Sequence, residues 1–325
     1  MRQEQLLKII KRFPERKLLI VGDTIADKFL TGSIARVSRE APVFILRHES
    51  TETVPGGAAN CALNLAALGA NVSLISIAGK DDAGIALREK LTAAGVNVEG
   101  LVLSDKVQTT TKVRILAGHS HAAKQQVIRV DYEDAPLKDS DARAAINARL
   151  KSALNAADAV IISDYNYGLV DQQAIELVRE AKNIPVLVDS RFRLSDFSGF
   201  TAATPNEDEV ENLIGSPITS TEELEDAATR LKQQLQYEAL LVTRGRRGMM
   251  LLSDEDQPLH ISAVGAQAVD GTGAGDTVIA TFALALASNA SFAEAAHLAN
   301  YAGGLVVMKR GTASISAAEL EHSIS

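Results

Sequence analysis

The sequence predicts an α/β protein built on a doubly wound, mostly parallel sheet. Short, nearly continuous apolar runs alternate with longer helical stretches at βαβ spacing (Lys17–Val21, Val72–Ala78, Ala159–Ser163, Pro185–Val188 and Ala239–Thr243). Polar residues stand directly after several runs, at Asp23, Asp164, Asp189 and Thr243. Open α/β sheets place ligands at that end of their strands. Apolar content of 46% and 22 glycines also suit a chain with many strand–helix turns.

The chain has 325 residues, enough for one large domain or a domain with a small appendage. A formal charge of −8 argues against nucleic acid or an anionic membrane surface as the main partner. It does not exclude a small anionic substrate, because a local basic cluster overrules net charge. Cys61 is the one cysteine, so no internal disulfide can form, and it reads as packing within an Ala/Leu helix. The charged start lacks a signal-peptide pattern, and no run of about 20 apolar residues suggests a membrane span. A cytoplasmic protein is the expectation.

A short amphipathic helix over 3–12 ends before Pro14, and Gly22-Asp23 closes the first strand. Asp23 and Asp27 are four apart and share a face if the turn between them is helical. They then suit sugar hydroxyls; a capped turn and a solvated Asp27 is the plainer alternative. From Thr31 to Ile45 no helical period settles, which predicts a small antiparallel excursion with a strand at Val43–Leu46. Pro55-Gly56-Gly57-Ala58-Ala59-Asn60 leads into a helix to about Leu68, and the glycine pair permits close approach of a ligand. A helix over 82–94 ends at Gly95, a C-cap signal.

Thr109–Leu116 and Gln125–Asp131 read as a hairpin around a turn at Gly118–His121. The excursion and the hairpin, near 31–47 and 107–131, predict a second small sheet that acts as a lid on the main body. Lys112, Arg114 and Arg36 fall on it, either as a clamp for an anionic group or as an ordinary charged face. His119 and His121 lack nearby carboxylates and do not suggest a metal. Helices over 138–155, 171–182 and 221–235 separate the later strands. Met249–Leu252 reads as an antiparallel strand, followed by helices over 276–287 and 292–308.

Asp270-Gly271-Thr272-Gly273-Ala274-Gly275-Asp276 carries the strongest chemistry. Alternating glycines precede a helix, so unpaired amides can seat a phosphate. Asp276, favoured as a carboxylate by the helix dipole, is expected to be ionised and available as a base. A plain turn with a capping Asp is the alternative. The stretch is not a Walker A loop, since no Lys-Ser/Thr follows, and an Asp falls on the third glycine of a dinucleotide fingerprint.

Together with Gly-Gly-Ala-Ala-Asn at 56–60 and the Asn-x-x-Glu of Asn206 and Glu209, this stretch resembles the ribokinase-like (PfkB) carbohydrate kinases over essentially the whole chain. Within that family the likeness is greatest to kinases of D-glycero-β-D-manno-heptose 7-phosphate. Gly22-Asp23 with Asp27, Arg36 through Val43, Pro55 through Asn60, Thr111-Lys112-Val113-Arg114 and Gln125 through Asp131 carry it.

The resemblance implies ATP, Mg²⁺ and a sugar phosphate, leaves a monovalent cation open, and suggests a dimer built by the lid. Asp276 would be the base, and the amides of Gly273, Ala274 and Gly275 would hold the oxyanion and the transferring phosphoryl. Asn206 and Glu209 would arrange Mg²⁺ through water. Asn206, Thr243, Gly245, Gly248, Gly273, Gly275 and Asn300 would line the nucleotide. Asp23, Asp27, Gly56, Gly57 and Asn60 would bind the sugar, with Arg36, Lys112, Arg114, Asp164 and Arg191 on the substrate side.

The chain departs from that pattern at Arg39, Gly271, Tyr167 and Ser190-Arg191. The last two replace family lysines; Arg191, Arg39 or Arg193 are candidates to restore the charge. Three functions stay open: a heptose 7-phosphate kinase forming the 1,7-bisphosphate, a kinase of another sugar or sugar phosphate, and a non-catalytic sugar or nucleotide binder. Many such kinases carry a fused nucleotidyltransferase; no His-x-Gly-His signature occurs in these residues, so a separate one is expected.

Overall fold

The computed structural model describes residues 3–119, 124–133, 137, 139–253, 257–265, 269–309 and 311–324. Ser120 and His121 of the expected turn lie outside them. The chain begins with α1 (Gln3–Ile10), β1 (Lys17–Gly22), β2 (Thr24–Val37), β3 (Phe44–Gly57), α2 (Ala58–Ala67), β4 (Asn71–Gly79) and α3 (Asp82–Ala93). It continues with β5 (Leu101–Ser104), β6 (Thr111–Gly118), β7 (Gln125–Tyr132), α4 (Ser140–Leu154), β8 (Ala159–Asp164), α5 (Gln172–Arg179), β9 (Val186–Ser190) and β10 (Ala202–Ala203). Then come α6 (Glu207–Ile214), α7 (Thr221–Leu235), β11 (Ala239–Thr243), β12 (Met249–Leu252), β13 (Leu259–Ile261), α8 (Ala274–Ala287), α9 (Phe292–Val306) and α10 (Ala317–Ile324).

The large sheet runs β13-β12-β11-β10-β9-β8-β1-β4-β5. It is parallel from β11 to β5, and β12 and β13 add antiparallel edges. Alternate residues of each strand face opposite layers. Leu18, Ile20, Leu74, Ile161, Leu187 and Leu241 pack with α1, α2, α8 and α9. Leu19, Val21, Ile75, Val160, Val188 and Val242 pack with α4, α5 and α7. Both faces are covered, which explains why the strands read as unbroken apolar runs. Helix α8 is apolar nearly all round and buried from Asp276 to Ala285, as a central helix must be. Cys61 is buried in the same layer.

A second sheet has the order β3-β2-β6-β7. It reaches further into the body than the sequence suggests. Strand β2 starts at Thr24, so no helical turn joins Asp23 to Asp27. Four residues of strand instead place Asp27 about 13 Å further out. Pro55-Gly56-Gly57 end β3, paired with Ala26, Ile25 and Thr24, rather than forming a free turn. Proline fits there because β3 is an edge strand. Val37, Phe44, Val127, Ile128 and Tyr132 leave apolar surface exposed on this sheet. Among the described residues no helix is long and apolar enough to cross a membrane.

Candidate active site

Asp276 occupies the first turn of α8, and Gly273 caps the helix at φ 77°, a left-handed conformation that glycine adopts without strain. A side chain at Gly273 would also place its Cβ 2.6 Å from Nδ2 of Asn60. That approach serves Asp276. Asn60 Nδ2 donates to its Oδ2 at 2.6 Å, and the Tyr165 hydroxyl donates to Oδ1 at 3.3 Å. Asn60 is itself held by Asn64, which accepts from Thr277 Oγ1 at 2.8 Å. Asn60 is 1% exposed, so the structure gives it to the base rather than to open space for a sugar.

The sequence predicts an ionised Asp276, favoured by the helix end. The structure corrects this: burial outweighs the two hydrogen bonds and pushes its pKa up to about 7, with Asp27 adding repulsion. A base poised near neutral pH suits proton abstraction. A second correction concerns the amides. Ala274 spends its N–H on the Gly271 carbonyl at 3.2 Å, so of the three amides assigned to the oxyanion only Gly273 and Gly275 lack such a turn bond.

The sugar-side residues gather at the mouth between the two sheets, several already engaged. Asp23 is 4% exposed and accepts from the amides of Tyr165, Tyr167 and Leu169 at 2.8, 3.2 and 3.3 Å. Burial raises its pKa to about 6 against those bonds. Asp27 forms a buried ion pair with Arg114. Gly56 permits it, since a Cβ there would sit 2.6 Å from Asp27 Oδ2. At Gly57, φ is 57° and a Cβ would approach the Asp23 carbonyl to 2.6 Å.

Lys112 lies beside Asp27 in register, half-buried, with Nζ 5.8 Å from the ring centroids of both Tyr165 and Tyr167. Burial lowers its pKa. Arg36 is not with them. It lies seven residues beyond Phe29, the partner of Arg114, and so about 23 Å further out along β2. The three-residue clamp is therefore not assembled within one chain.

Asp164 has no open edge. It is fully buried, its oxygens taken by Arg193 Nη2 at 2.5 Å and Ser190 Oγ at 2.7 Å. This corrects its placement on the substrate side, and it removes Arg193 as a replacement for a lost lysine. Tyr167, which stands at one of those lysine positions, donates to Glu133. Arg39 lies in the exposed connection between β2 and β3.

Across the sheet, Thr243, Gly245, Gly248, Gly275 and Asn300 line one cavity of about 370 Å³, a volume within the range of small-molecule sites. Asn300 holds its wall by donating to the Ser262 carbonyl at 2.8 Å. Gly248 (φ 88°) admits no side chain, because a Cβ would fall 1.9 Å from the Ile261 carbonyl. Gly303 and Gly304 of α9 line the same cavity and were not singled out in the sequence. A glycine pair inside an apolar helix was the available signal. The glycine lining leaves room for a flat base and sugar, which fits a nucleotide.

Asn206 and Glu209 form a reciprocal capping box on α6 at 2.8 and 2.9 Å. Burial raises the pKa of Glu209 and, more strongly, that of Asp189, whose carboxylate is repelled by Asp276 and Glu209. No group of three ligating side chains occurs among the described residues. Carboxylates facing a polar cavity fit a Mg²⁺ ion held through its own waters and phosphate oxygens, not one in a protein cage. Asp189 and Tyr165 are the site residues whose roles the sequence left open; each was visible only as part of a strand-end pattern.

A poised base at a glycine-capped helix, a nucleotide-sized cavity and a polar strand edge define an α/β phosphotransferase for small molecules. Residues 16–319 match the pfkB family of carbohydrate kinases, and the chain belongs to that family of ATP-using sugar kinases. It is 42% identical over 317 residues to the bifunctional protein HldE of Shewanella piezotolerans and 40% identical over 315 residues to that of Pseudomonas aeruginosa. Each match covers 96% of this chain, which spans only 64% of the length of those relatives. Arabidopsis thaliana ribokinase, solved with ribose and ATP, superposes with a TM-score of 0.75 at 21% identity, over 95% of this chain and 99% of that one. Escherichia coli phosphofructokinase-2, with substrates and products, gives 0.78 at 20% identity, over 95% and 98%.

Proposed function

We propose that the protein transfers the terminal phosphoryl of ATP to the anomeric hydroxyl of D-glycero-β-D-manno-heptose 7-phosphate, forming the 1,7-bisphosphate. The observation that carries the reading is the HldE likeness over nearly the whole chain, supported by a buried base at a glycine-capped helix and a nucleotide-sized cavity. Asp276 takes the hydroxyl proton onto its carboxylate as the oxygen attacks in line. Asn60 and Tyr165 hold that carboxylate in place, and the amides of Gly273 and Gly275 stabilise charge on the transferring group. ATP supplies the phosphoryl, and Asn206 and Glu209 would hold a Mg²⁺ ion through its waters, where it would offset the phosphate charge. Lys112, which stands over the rings of Tyr165 and Tyr167, meets the distal phosphate.

The small sheet closes over the acceptor as a lid, and its exposed apolar face supports a homodimer. A monovalent cation and a cytoplasmic setting belong to the same reading, as does a nucleotidyltransferase acting on the product. Steady-state transfer from Mg-ATP to the heptose 7-phosphate, fructose 6-phosphate, ribose and fructose tests it. High kcat/KM on the heptose phosphate alone is expected.

A second reading, a kinase of another sugar phosphate, draws on Tyr167 and on the commitment of Arg193 to Asp164. A higher rate on another acceptor would establish it. A non-catalytic binder is disfavoured by the intact base, and binding without transfer would revive it.

A further inference from the structure

We infer that Arg191 contacts the terminal phosphoryl group of the bound nucleotide and does not read the phosphate of the sugar. The inference rests on the proposed use of ATP, but not on the identity of the acceptor. Three adjacent strand ends carry it. The order β9-β10-β11 places Ser190-Arg191, Asn206 and Thr243 side by side. Asn206 pairs directly with Thr243 in a parallel bridge, and the Thr243 amide donates to the Pro205 carbonyl at 2.9 Å.

Thr243 belongs to the 370 Å³ nucleotide cavity. Arg191, Asn206 and Glu209 line a second cavity of about 460 Å³, with Leu194 and Leu213 also in its wall, and the Asn206–Thr243 bridge joins the walls of the two. Two strand spacings, about 10 Å, separate the ends of β11 and β9. That is the reach of an extended triphosphate whose nucleoside sits in the first cavity.

Charge points the same way. Arg114 is neutralised by Asp27 and Arg193 by Asp164. Arg191 takes part in no ion pair among the described residues, and its guanidinium stacks 5.5 Å from the Phe192 ring. It is the cation that acts on both Asp189 and Glu209. Asp208 and Glu209 present acidic groups in the same cavity, where a polyphosphate needs a cation. The Arg191 guanidinium fork in that cavity supplies the opposite charge for the terminal phosphate. Lys112, on the other sheet, is itself acted on by Arg191 as a neighbouring like charge, so the two cations mark the acceptor and donor ends of one site.

Calorimetric titration of wild type, Arg191→Ala and Arg191→Lys with AMP, ADP and AMP-PNP, each in Mg²⁺, decides the matter. Arg191→Ala is expected to weaken AMP-PNP binding by about 10-fold or more, the loss of a charge-assisted contact, and to leave AMP nearly unchanged. Arg191→Lys should recover part of the loss. Unchanged AMP-PNP affinity overturns the inference. So does an equal loss for AMP, which would make Arg191 a wall of the cavity only. In turnover, the Arg191→Ala deficit should be the same for a sugar and its phosphate ester. A deficit confined to KM for the phosphorylated acceptor would return Arg191 to the acceptor side. If the heptose phosphate proves not to be a substrate, the nucleotide series still reads out unaltered.

Discussion

Replacing Asn60 by Ala should move the acid limb of the pH–rate profile upward without abolishing transfer. The Asp276 pKa of about 7 is a balance. Burial raises it, Asp27 of β2 adds repulsion, and Asn60 of α2 and Tyr165 after β8 pull it down. Asp189 at the end of β9 and Cys61 of α2 also face the carboxylate. The Asn60 bond is short, at 2.6 Å, and wholly buried. A hydrogen bond to a charged group contributes about 1.5–3 kcal/mol, or about 1–2 pH units. Taking about 1.5 units, the ionised fraction at pH 8 falls from about nine-tenths to about a quarter, a loss of about four-fold in kcat/KM. Near pH 9.5 most of the rate should return. The 3.3 Å bond from Tyr165 is longer and neutral, so Tyr165→Phe should shift the limb by less than about one unit. The assay is kcat/KM for the sugar phosphate at saturating Mg-ATP from pH 5.5 to 10. A uniform drop with an unmoved limb would refute the reasoning, because Asn60 would then orient the base without tuning it.

Asp276→Asn should lower turnover by at least ~10²-fold while sparing nucleotide affinity, measured by single-turnover transfer and calorimetry. The same substitution should stabilise the fold at pH 8. A carboxylate raised from 3.8 to about 7 loses stability as pH climbs through that window, by up to about 4 kcal/mol, so the gain in urea unfolding should fade toward pH 4. Gly248→Ala should raise KM for ATP and lower Tm, since its φ of 88° and the Ile261 carbonyl leave no room for a methyl group; wild-type values for both would remove Gly248 from the cavity wall. Arg193→Ala should cost about 3 kcal/mol in urea denaturation by stranding the buried Asp164, and a loss below about 1 kcal/mol would show that water reaches that carboxylate.

The main sheet was legible because burial on both faces writes strands as unbroken apolar runs, and because α8 follows its glycines without interruption. The small sheet was legible in kind but not in extent. Strand β2 carries Asp27, Lys28 and Gly32 along its length, and β3 ends in Pro55-Gly56-Gly57, residues that signal turns when read locally. Cross-strand pairing overrode that signal. Helix α6 was hidden for the opposite reason: its capping box coincided with a motif already read as chemistry.

The site divides along the same line. Residues picked out for backbone shape stand at turns and cavity walls: Gly248 and Thr243 line one cavity, and Gly273 caps α8 outside that lining. Charged residues are harder to place, because sequence spacing does not show which carboxylate neutralises which cation. Arg114, Arg191 and Arg193 look alike in the text. The fold gives the first to Asp27 and the third to Asp164, and among the described residues the second forms no ion pair while acting on Asp189 and Glu209. The replacement of a family lysine by Arg191 therefore need not alter the acceptor at all. If Arg191 serves the nucleotide, the change tunes the donor side, and choice of sugar falls to Lys112 and the aromatic pair beneath it. Lys112→Ala should then raise KM for a phosphorylated acceptor and leave that for its unphosphorylated form unmoved. An equal rise for both would mean that Lys112 supports the lid and reads no phosphate.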